Sequence, residues 1–384
     1  MTNVGIYLDA TPGGGTYQYN LVMLEACRSL PQDSFDLLVA YSNSSWESKL
    51  SDIEVPARII QRTIASRIWF QMRYPHSLWI RVGKYLDRFV KEFISYQRDI
   101  WIFPSQDIWS YSLPLNSLST IHDLMHRYER GFTEAGSNYE YRMRERHYSL
   151  MCKYSKGVLV DSELGKQQVL ESYHPSAEKI HVLPFVAPRY LEKKDYQIDL
   201  AKIYGIPQKF LFYPAQFWEH KNHKSLVKAV DQLKNRIPDI HFVFAGAPKN
   251  AYQSIKDLIH TYNLDSDFTF LDYVPDDHMA VLYRSARGMI MPTFFGPTNI
   301  PPLEAFATGC PSAVSNIYAM PIQVDDAALL FDPHSIPEIV NVIERMWTDD
   351  QLIQQLKLKG QKRDQLWNQA KFNVRLKEII EIIV

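Results

Sequence analysis

Cysteine is scarce in this chain, and the few that are present exclude two large classes of structure. Three cysteines (Cys27, Cys152 and Cys310) among 384 residues are odd in number and widely separated. They form no disulfide framework and match no zinc-ligand spacing, so they fit a reducing cytosol. Net charge is nearly absent too, with 42 Lys and Arg against 43 Asp and Glu, or −1 with His neutral. So even a balance argues against a general nucleic-acid binder. No apolar run approaches the length of a membrane span. There is no short-period repeat and no low-complexity tract. The first residues run straight into a strand pattern at Val4–Leu8 with no signal-peptide pattern before it. A cytoplasmic protein, at most peripheral on a membrane, is the expectation.

What is present is the material for two cores. With 46% hydrophobic and 22% charged residues, the chain can bury them, and its length suits two domains of ordinary size. Short apolar runs separated by helix-length segments recur in both halves. In the first they are Val4–Leu8, Asp36–Tyr41, Ile100–Phe103, Leu118–His122, Gly157–Asp161 and Ile180–Pro184, with a helix over Tyr17–Leu30. In the second they are Phe210–Tyr213, His241–Ala245, Phe268–Leu271, Gly288–Met291, Pro311–Ser315 and Ala328–Phe331. Continuous apolar strands between helices indicate parallel sheets covered on both faces. The expected architecture is α/β, two doubly wound Rossmann-like domains facing across a cleft. The first spans 1–190 and the second 191–366, joined by a polar linker over Leu191–Asp199. A closing helix over 367–384 packs back on the first domain. Ligands of such sheets sit at the carboxyl ends of the strands.

The most informative stretch is PTFFGPTNIPPLEAFATG, Pro292–Gly309. A strand ending runs into a turn-rich loop, and Pro301-Pro302 then opens a helix carrying Glu304. Proline suits a first helical turn, where amides lack intrahelical partners. The amides around that turn and the helix dipole favour a phosphate. Glu304, one turn in, has the two oxygens that a ribose diol requires. The second informative stretch is FLFYPAQFWEHKN, Phe210–Asn222, where a strand ends and a loop delivers Lys221 to the start of a helix. An ammonium there can lie against a diphosphate, although an isolated loop lysine is more often merely solvated.

Strand, then Lys-Asn-His, then a distal Pro-x-x-Glu-Ala-x-Ala-x-Gly resembles the retaining glycosyltransferases of family 4, which have the GT-B fold. The likeness covers the second half almost end to end, including Tyr273-Val274-Pro275-Asp276 and Ala286-Arg287. In the first half it rests on Gly13-Gly14-Gly15 and Ile121-His122-Asp123. The FGPTNIPPLEA loop is similar to that of bacterial mannosyltransferases. The resemblance implies a hexose moved from a nucleotide-diphosphate sugar, with a slight preference for GDP-mannose. The acceptor would be a glycan or lipid-linked glycan of bacterial surface polysaccharide or lipopolysaccharide. It further implies that Lys221, beside Gln216, holds the diphosphate and stabilises the leaving group. Glu304 would hold the ribose, and the backbone at Asn299 and Ile300, beside Thr298, would cap the phosphates. Tyr273 and Val274 would lie beside the base. Gly14 and Gly15 would let backbone approach the phosphates, though a plain flexible turn accounts for the same glycines. His122, with Asp123, would lie near the transferred sugar; a strand-end histidine capped locally by Asp123 is the ordinary alternative.

Three positions depart from the family pattern. Gln216 stands where an arginine is usual, Gly296 where a glutamate is usual, and Pro321-Ile322 where Pro-Glu is usual. No carboxylate nucleophile stands out, so the resemblance favours front-face displacement over a covalent intermediate. Lys221 and helix-end amides would replace a metal, and no cofactor is expected. Asp265-x-Asp267 has the look of a manganese-binding pair but sits where a helix-to-strand turn is expected. Nucleotide-sugar epimerases share the architecture, and a non-catalytic nucleotide-sugar-binding partner also fits.

The acceptor side is less legible. Between Arg58 and Glu92 stand Arg58, Arg62, Arg67, Arg73, Arg81, Lys84, Arg88 and Lys91 against Asp87 and Glu92. Trp69, Phe70, Tyr74, Trp79, Tyr85, Phe89 and Phe93 interleave with them. Such a segment suits an anionic membrane surface holding a lipid-linked acceptor. A solvated face over a helical core produces the same pattern. Asp107–Tyr111 and Arg127–Arg130 join the acceptor side by position alone.

Overall fold

A computed structural model describes residues 1–51, 55–64, 76–192 and 197–384. Contacts divide the chain into two compact units. The first comprises 1–124, 139–184 and 369–384; the second comprises 125–138 and 185–368.

The first unit is built on a seven-stranded parallel sheet in the order β3-β2-β1-β4-β5-β6-β7. The strands are β1 (Thr2–Leu8), β2 (Phe35–Tyr41), β3 (Ala57–Ile59), β4 (Ile100–Phe103), β5 (Ser117–Thr120), β6 (Gly157–Val160) and β7 (Ile180–Val182). The expected strands are present: β4 agrees to the residue, β1, β2 and β5 begin one or two residues earlier, and β5, β6 and β7 end one or two residues earlier. Strand β3 went unread, because Ala-Arg-Ile is short and Arg58 and Ile59 are exposed. Strands β4, β5 and β6 are buried throughout, as a parallel sheet covered on both faces requires. The closing helix Gln369–Ile383 belongs to this unit, burying Phe372, Leu376, Ile379 and Ile380, with Phe372 edge-on to Tyr19.

The second unit holds a six-stranded parallel sheet in the order β10-β9-β8-β11-β12-β13. Its strands are β8 (Leu211–Pro214), β9 (Phe242–Ala245), β10 (Phe268–Leu271), β11 (Gly288–Met291), β12 (Ser312–Ser315) and β13 (Ala328–Phe331). In both sheets the strand order reverses beside the first strand, between β1 and β4 and between β8 and β11. Such switch points open crevices at the carboxyl ends, where ligands of doubly wound sheets bind.

The unit boundary differs from the expected 190/191 in two ways. Residues 185–190 join the second unit, and so does the segment Met125–Asn138. The second shift has a clear physical cause. Phe132 stacks on Phe294 at 5.8 Å, Thr133 accepts a hydrogen bond from Asn250 (2.6 Å), and Tyr318 donates to Glu129. Glu134 Oε1 accepts from the His220 amide at 3.1 Å. Apolar periodicity carries no sign of these long-range polar contacts.

Of the basic, aromatic segment, Arg67, Trp69, Phe70, Arg73 and Tyr74 lie outside the described residues, as do residues 193–196 of the expected linker. Trp79, Phe89 and Phe93 are core, packed with Tyr7, Trp101 and Phe103. Arg81, Lys84, Tyr85, Leu86, Arg88 and Lys91 are exposed. Asp267 is buried and accepts from Lys234, which makes the Asp265–Asp267 turn a structural element preceding β10. Among the described residues, no helix is long and apolar enough to cross a membrane.

Candidate functional site

The switch point of the second sheet gathers most of the residues singled out in the sequence. Strand β8 ends at Pro214 and leads through Gln216 to a 3-10 turn, Glu219–Lys221. Lys221 is thus the last residue of that turn, and the following helix, His223–Leu233, starts two residues later. Between them stands Asn222, buried and left-handed at φ 59°. Asparagine tolerates that region better than most side chains. Its carboxamide donates to the carbonyls of Pro292 (2.9 Å) and Pro333 (3.1 Å) and accepts from Ser225 (2.6 Å). One side chain therefore ties the loops after β8, β11 and β13 together. The neighbouring carbonyl of His220 accepts from the Phe294 amide (2.7 Å) and the Thr293 hydroxyl (3.1 Å), and that of Lys221 from the Tyr213 hydroxyl (2.9 Å).

From this pinned turn Lys221 donates to Asn299 Oδ1 at 3.3 Å. Asn299 precedes the helix Ile300–Thr308, whose first turn carries Pro301 and Pro302. The structure corrects one expectation here. The Asn299 amide, expected to face phosphate, donates to Gln323 Oε1 (3.0 Å), while Gln323 Nε2 donates to the Asn299 carbonyl (2.7 Å). Asn299 reaches Lys221 through its carboxamide, not its backbone. Pro301 and Pro302 have no N–H, so the turn offers fewer amides than an ordinary helix start.

Gly296 explains where that carboxamide lies. Its φ is +144°, and a Cβ built there would lie 2.4 Å from Asn299 Nδ2. Any side chain at 296 would be strained and would displace Asn299. The loss of the usual glutamate and the presence of Asn299 are thus one steric arrangement.

Glu304 lies one turn into the helix, buried, with both oxygens engaged: Tyr190 donates to Oε1 (2.9 Å) and Tyr283 to Oε2 (2.6 Å). Burial raises its carboxyl above the usual range, against the two tyrosine hydrogen bonds. Sequence reading missed both tyrosines, which lie 114 and 21 residues away in the chain with no local pattern to mark them. Tyr273 is 78% exposed, and Val274 is buried. Gln216 accepts from the Trp218 indole (2.9 Å), and Thr298 and Ile300 are half-buried.

Two histidines flank Lys221, and both are held neutral. His220 is lowered to about 4, mainly by burial and then by the Lys221 charge, with Glu134 opposing. His223 is lowered to about 3 by burial and Lys221, its ring tilted against Tyr213 and Phe217.

The remaining residues lie in the first unit. Gly14 opens the helix Gly14–Arg28 at φ 78°, following Gly13 at φ 101°, and Gly15 is exposed within its first turn. His122 follows β5, packed edge-on to Tyr19 at 5.0 Å, and burial lowers it to about 4. Asp123 beside it is half-buried.

Two outcomes follow. Because the folded pKa values of His220 and His223 lie below the unfolded value near 6.5, their stabilising effect is complete above about pH 6.5 and is lost toward pH 4. Urea unfolding should show stability falling by about 1.4 kcal/mol per pH unit for each histidine. A flat profile between about pH 6.5 and 5 would mean that the rings are already charged when folded. Separately, Gly296→Glu, which restores the usual family residue, should destabilise the protein by about 1–3 kcal/mol. An unchanged melting temperature would show that the loop accommodates a side chain.

Comparisons with known proteins agree with this geometry. Residues 199–363 match the model of glycosyl transferases group 1. The Escherichia coli serotype-specific mannosyltransferase WbdA is 24% identical over 260 residues, 64% of this chain and 31% of its own length. The chain thus spans about a third of the length of that relative. The Salmonella typhimurium O-antigen chain mannosyltransferase RfbU is 21% identical, with 84% of each chain covered. Anabaena HepE, solved with UDP and glucose, superposes with a TM-score of 0.72 at 15% identity, covering 99% of this chain and all of HepE. Residues 199–363 are thus similar to glycosyl transferases group 1, and the two parallel sheets have the GT-B fold of the structural neighbours.

Proposed function

We propose that this protein is a retaining hexosyltransferase of bacterial surface-polysaccharide assembly. It moves a hexose from a nucleotide-diphosphate sugar, GDP-mannose before others, to a glycan or lipid-linked glycan. The observation that carries this reading is the Lys221 ammonium held on Asn299 at the second sheet's switch point, with Glu304 one helical turn away. The similarity to named mannosyltransferases, and the UDP and glucose bound to HepE, support the donor class.

In this reading Lys221 lies against the diphosphate and offsets the charge that grows on the leaving phosphate. His220 and His223, held neutral, leave Lys221 as the positive charge between them. Glu304, oriented by Tyr190 and Tyr283, receives the ribose hydroxyls on the lone pairs that remain on its oxygens. Tyr273 and Val274 border the base, and Gln216, Thr298 and Ile300 line the phosphates. Gly14 and Gly15 let backbone approach a phosphate, and His122 with Asp123 serves the transferred sugar. The bond from the anomeric carbon to phosphate oxygen breaks as the acceptor oxygen bonds to the same face. The departing oxygen takes the acceptor's proton. No divalent ion is required, since Lys221 supplies the counter-charge.

Exposed Arg81, Lys84, Arg88 and Lys91, beside exposed Tyr85 and Leu86, support a peripheral contact with anionic lipid.

Thermal-shift titrations with GDP, UDP, dTDP and ADP in EDTA test the donor site. One nucleotide should stabilise the wild type and fail to stabilise Lys221→Ala. No shift with any of them would remove the donor site. With the matching sugar nucleotide, NMR of the product should show the donor's anomeric configuration. For the membrane contact, co-sedimentation with phosphatidylglycerol vesicles should fall in a variant with Arg81, Lys84, Arg88 and Lys91 changed to Gln. Equal sedimentation would end that proposal.

A further inference from the structure

The turn that presents Lys221 is not capped by its own residues. Glu219–Lys221 is a single 3-10 turn, and its N-cap residue, Trp218, makes no side-chain cap. The first amides of a helical turn have no partner within it and need one from elsewhere. Two side chains far away in the chain supply it. The Glu219 amide donates to Asn250 Oδ1 (3.1 Å), and the His220 amide donates to Glu134 Oε1 (3.1 Å). The two acceptors are themselves joined. Asn250 Nδ2 donates to the Thr133 hydroxyl (2.6 Å), which donates to Glu134 Oε2 (3.1 Å).

Glu134 holds His220 twice, because the oxygen that takes the amide also takes the ring Nδ1 at 3.1 Å. The Glu134 side chain is only 6% exposed, yet its carboxyl lies below the usual range. Burial raises it, but its own amide, the His220 amide and ring, and then Asn250 outweigh burial. An ionised carboxylate can only accept, so Nδ1 of His220 carries the proton and Nε2 the lone pair. Across the same residue, the His220 carbonyl accepts from the Phe294 amide and the Thr293 hydroxyl. Phe132 lies over this contact, stacked on Phe294 and edge-on to His220 at 6.2 Å. His220 is thus gripped at amide, carbonyl and ring, and the next residue is Lys221.

A three-residue turn has little stiffness of its own, and the lysine stem is flexible. Where the ammonium comes to lie depends on where the turn is held, and small misplacements are costly at a reacting centre. Phe132, Thr133 and Glu134 belong to the second unit with the turn they hold, although the chain on either side of Met125–Asn138 belongs to the first.

We propose that Glu134 is a positioning residue for the donor diphosphate: by holding the His220 amide and ring on one oxygen, it fixes the turn that carries the Lys221 ammonium. That Lys221 meets a diphosphate rests on the transferase reading. The clasp on His220 does not.

Calorimetric titration compares GDP, UDP, dTDP and ADP with their monophosphates on wild type, Lys221→Ala, Glu134→Ala and the double variant. Wild type should prefer one diphosphate to its monophosphate. Glu134→Ala should bind that diphosphate roughly tenfold more weakly and the monophosphate as before. In the Lys221→Ala background the same change should cost nothing further, as for a residue that acts through another. Equal weakening of both nucleotides, or additive losses in the double variant, overturns the proposal. So does tighter diphosphate binding by Glu134→Ala, the result expected if Glu134 acted only as a nearby negative charge. Glu134→Asp, which keeps the charge and withdraws the oxygen by one methylene, makes the same comparison where Glu134→Ala does not fold. Nitrogen NMR of ligand-free wild type reads the His220 tautomer: a proton on Nδ1 is expected, and one on Nε2 overturns the clasp. Wild type that binds no diphosphate sinks the transferase reading and the role built on it. Wild type that binds, with Glu134→Ala unchanged, sinks the role alone.

Discussion

The second unit depends on a single carboxamide. Parallel sheets leave their functional loops as separate connections, each free to move about its own strand end. Asn222 removes that freedom, because its Nδ2 bridges Pro292 and Pro333 while its backbone takes a left-handed turn. The turn presents Lys221 on one side and starts the helix His223–Leu233 on the other. An aspartate at 222 would bring oxygen against two carbonyl oxygens, and an alanine would leave both without a donor. The Lys-Asn-His order in the chain is therefore a geometric requirement: charge, pivot, then a buried ring packed on Tyr213 and Phe217.

Around that pivot, departures from the family pattern become mutually consistent. Gly296 alone reads as the loss of a carboxylate. Beside Asn299 it reads as space, since the carboxamide occupies the volume that a side chain at 296 would need. The same carboxamide accepts from Lys221, and the Asn299 backbone is held at both its N–H and its carbonyl by Gln323. A neutral amide thus stands beside Lys221, in the volume that a side chain at 296 would need. A neutral partner does not offset the ammonium's charge there.

Much of this fold was legible in the sequence because parallel strands buried on both faces are written as unbroken apolar runs. Phe268–Leu271, Gly288–Met291 and Ala328–Phe331 read to the residue. Strand β3 escaped because its exposed Arg58 and Ile59 break the pattern. Placement of Met125–Asn138 escaped because it rests on polar contacts across long sequence separations, such as Glu134 with His220. At the site, residue types that carry charge or a special backbone announced themselves: Lys221, Glu304 and the glycines. Partners did not, since a tyrosine serving a carboxylate 114 residues away looks like any other tyrosine.

The two switch points use opposite electrostatic devices. In the second sheet, burial strips charge from His220 and His223 and leaves a cation between them. In the first, burial lifts the Asp107 carboxyl while Arg62 offsets Asp9, leaving a cluster near neutrality. A concentrated positive charge suits a diphosphate, whose attraction outweighs the cost of desolvating it. The difference between the two crevices is thus carried by which titratable groups burial is allowed to discharge.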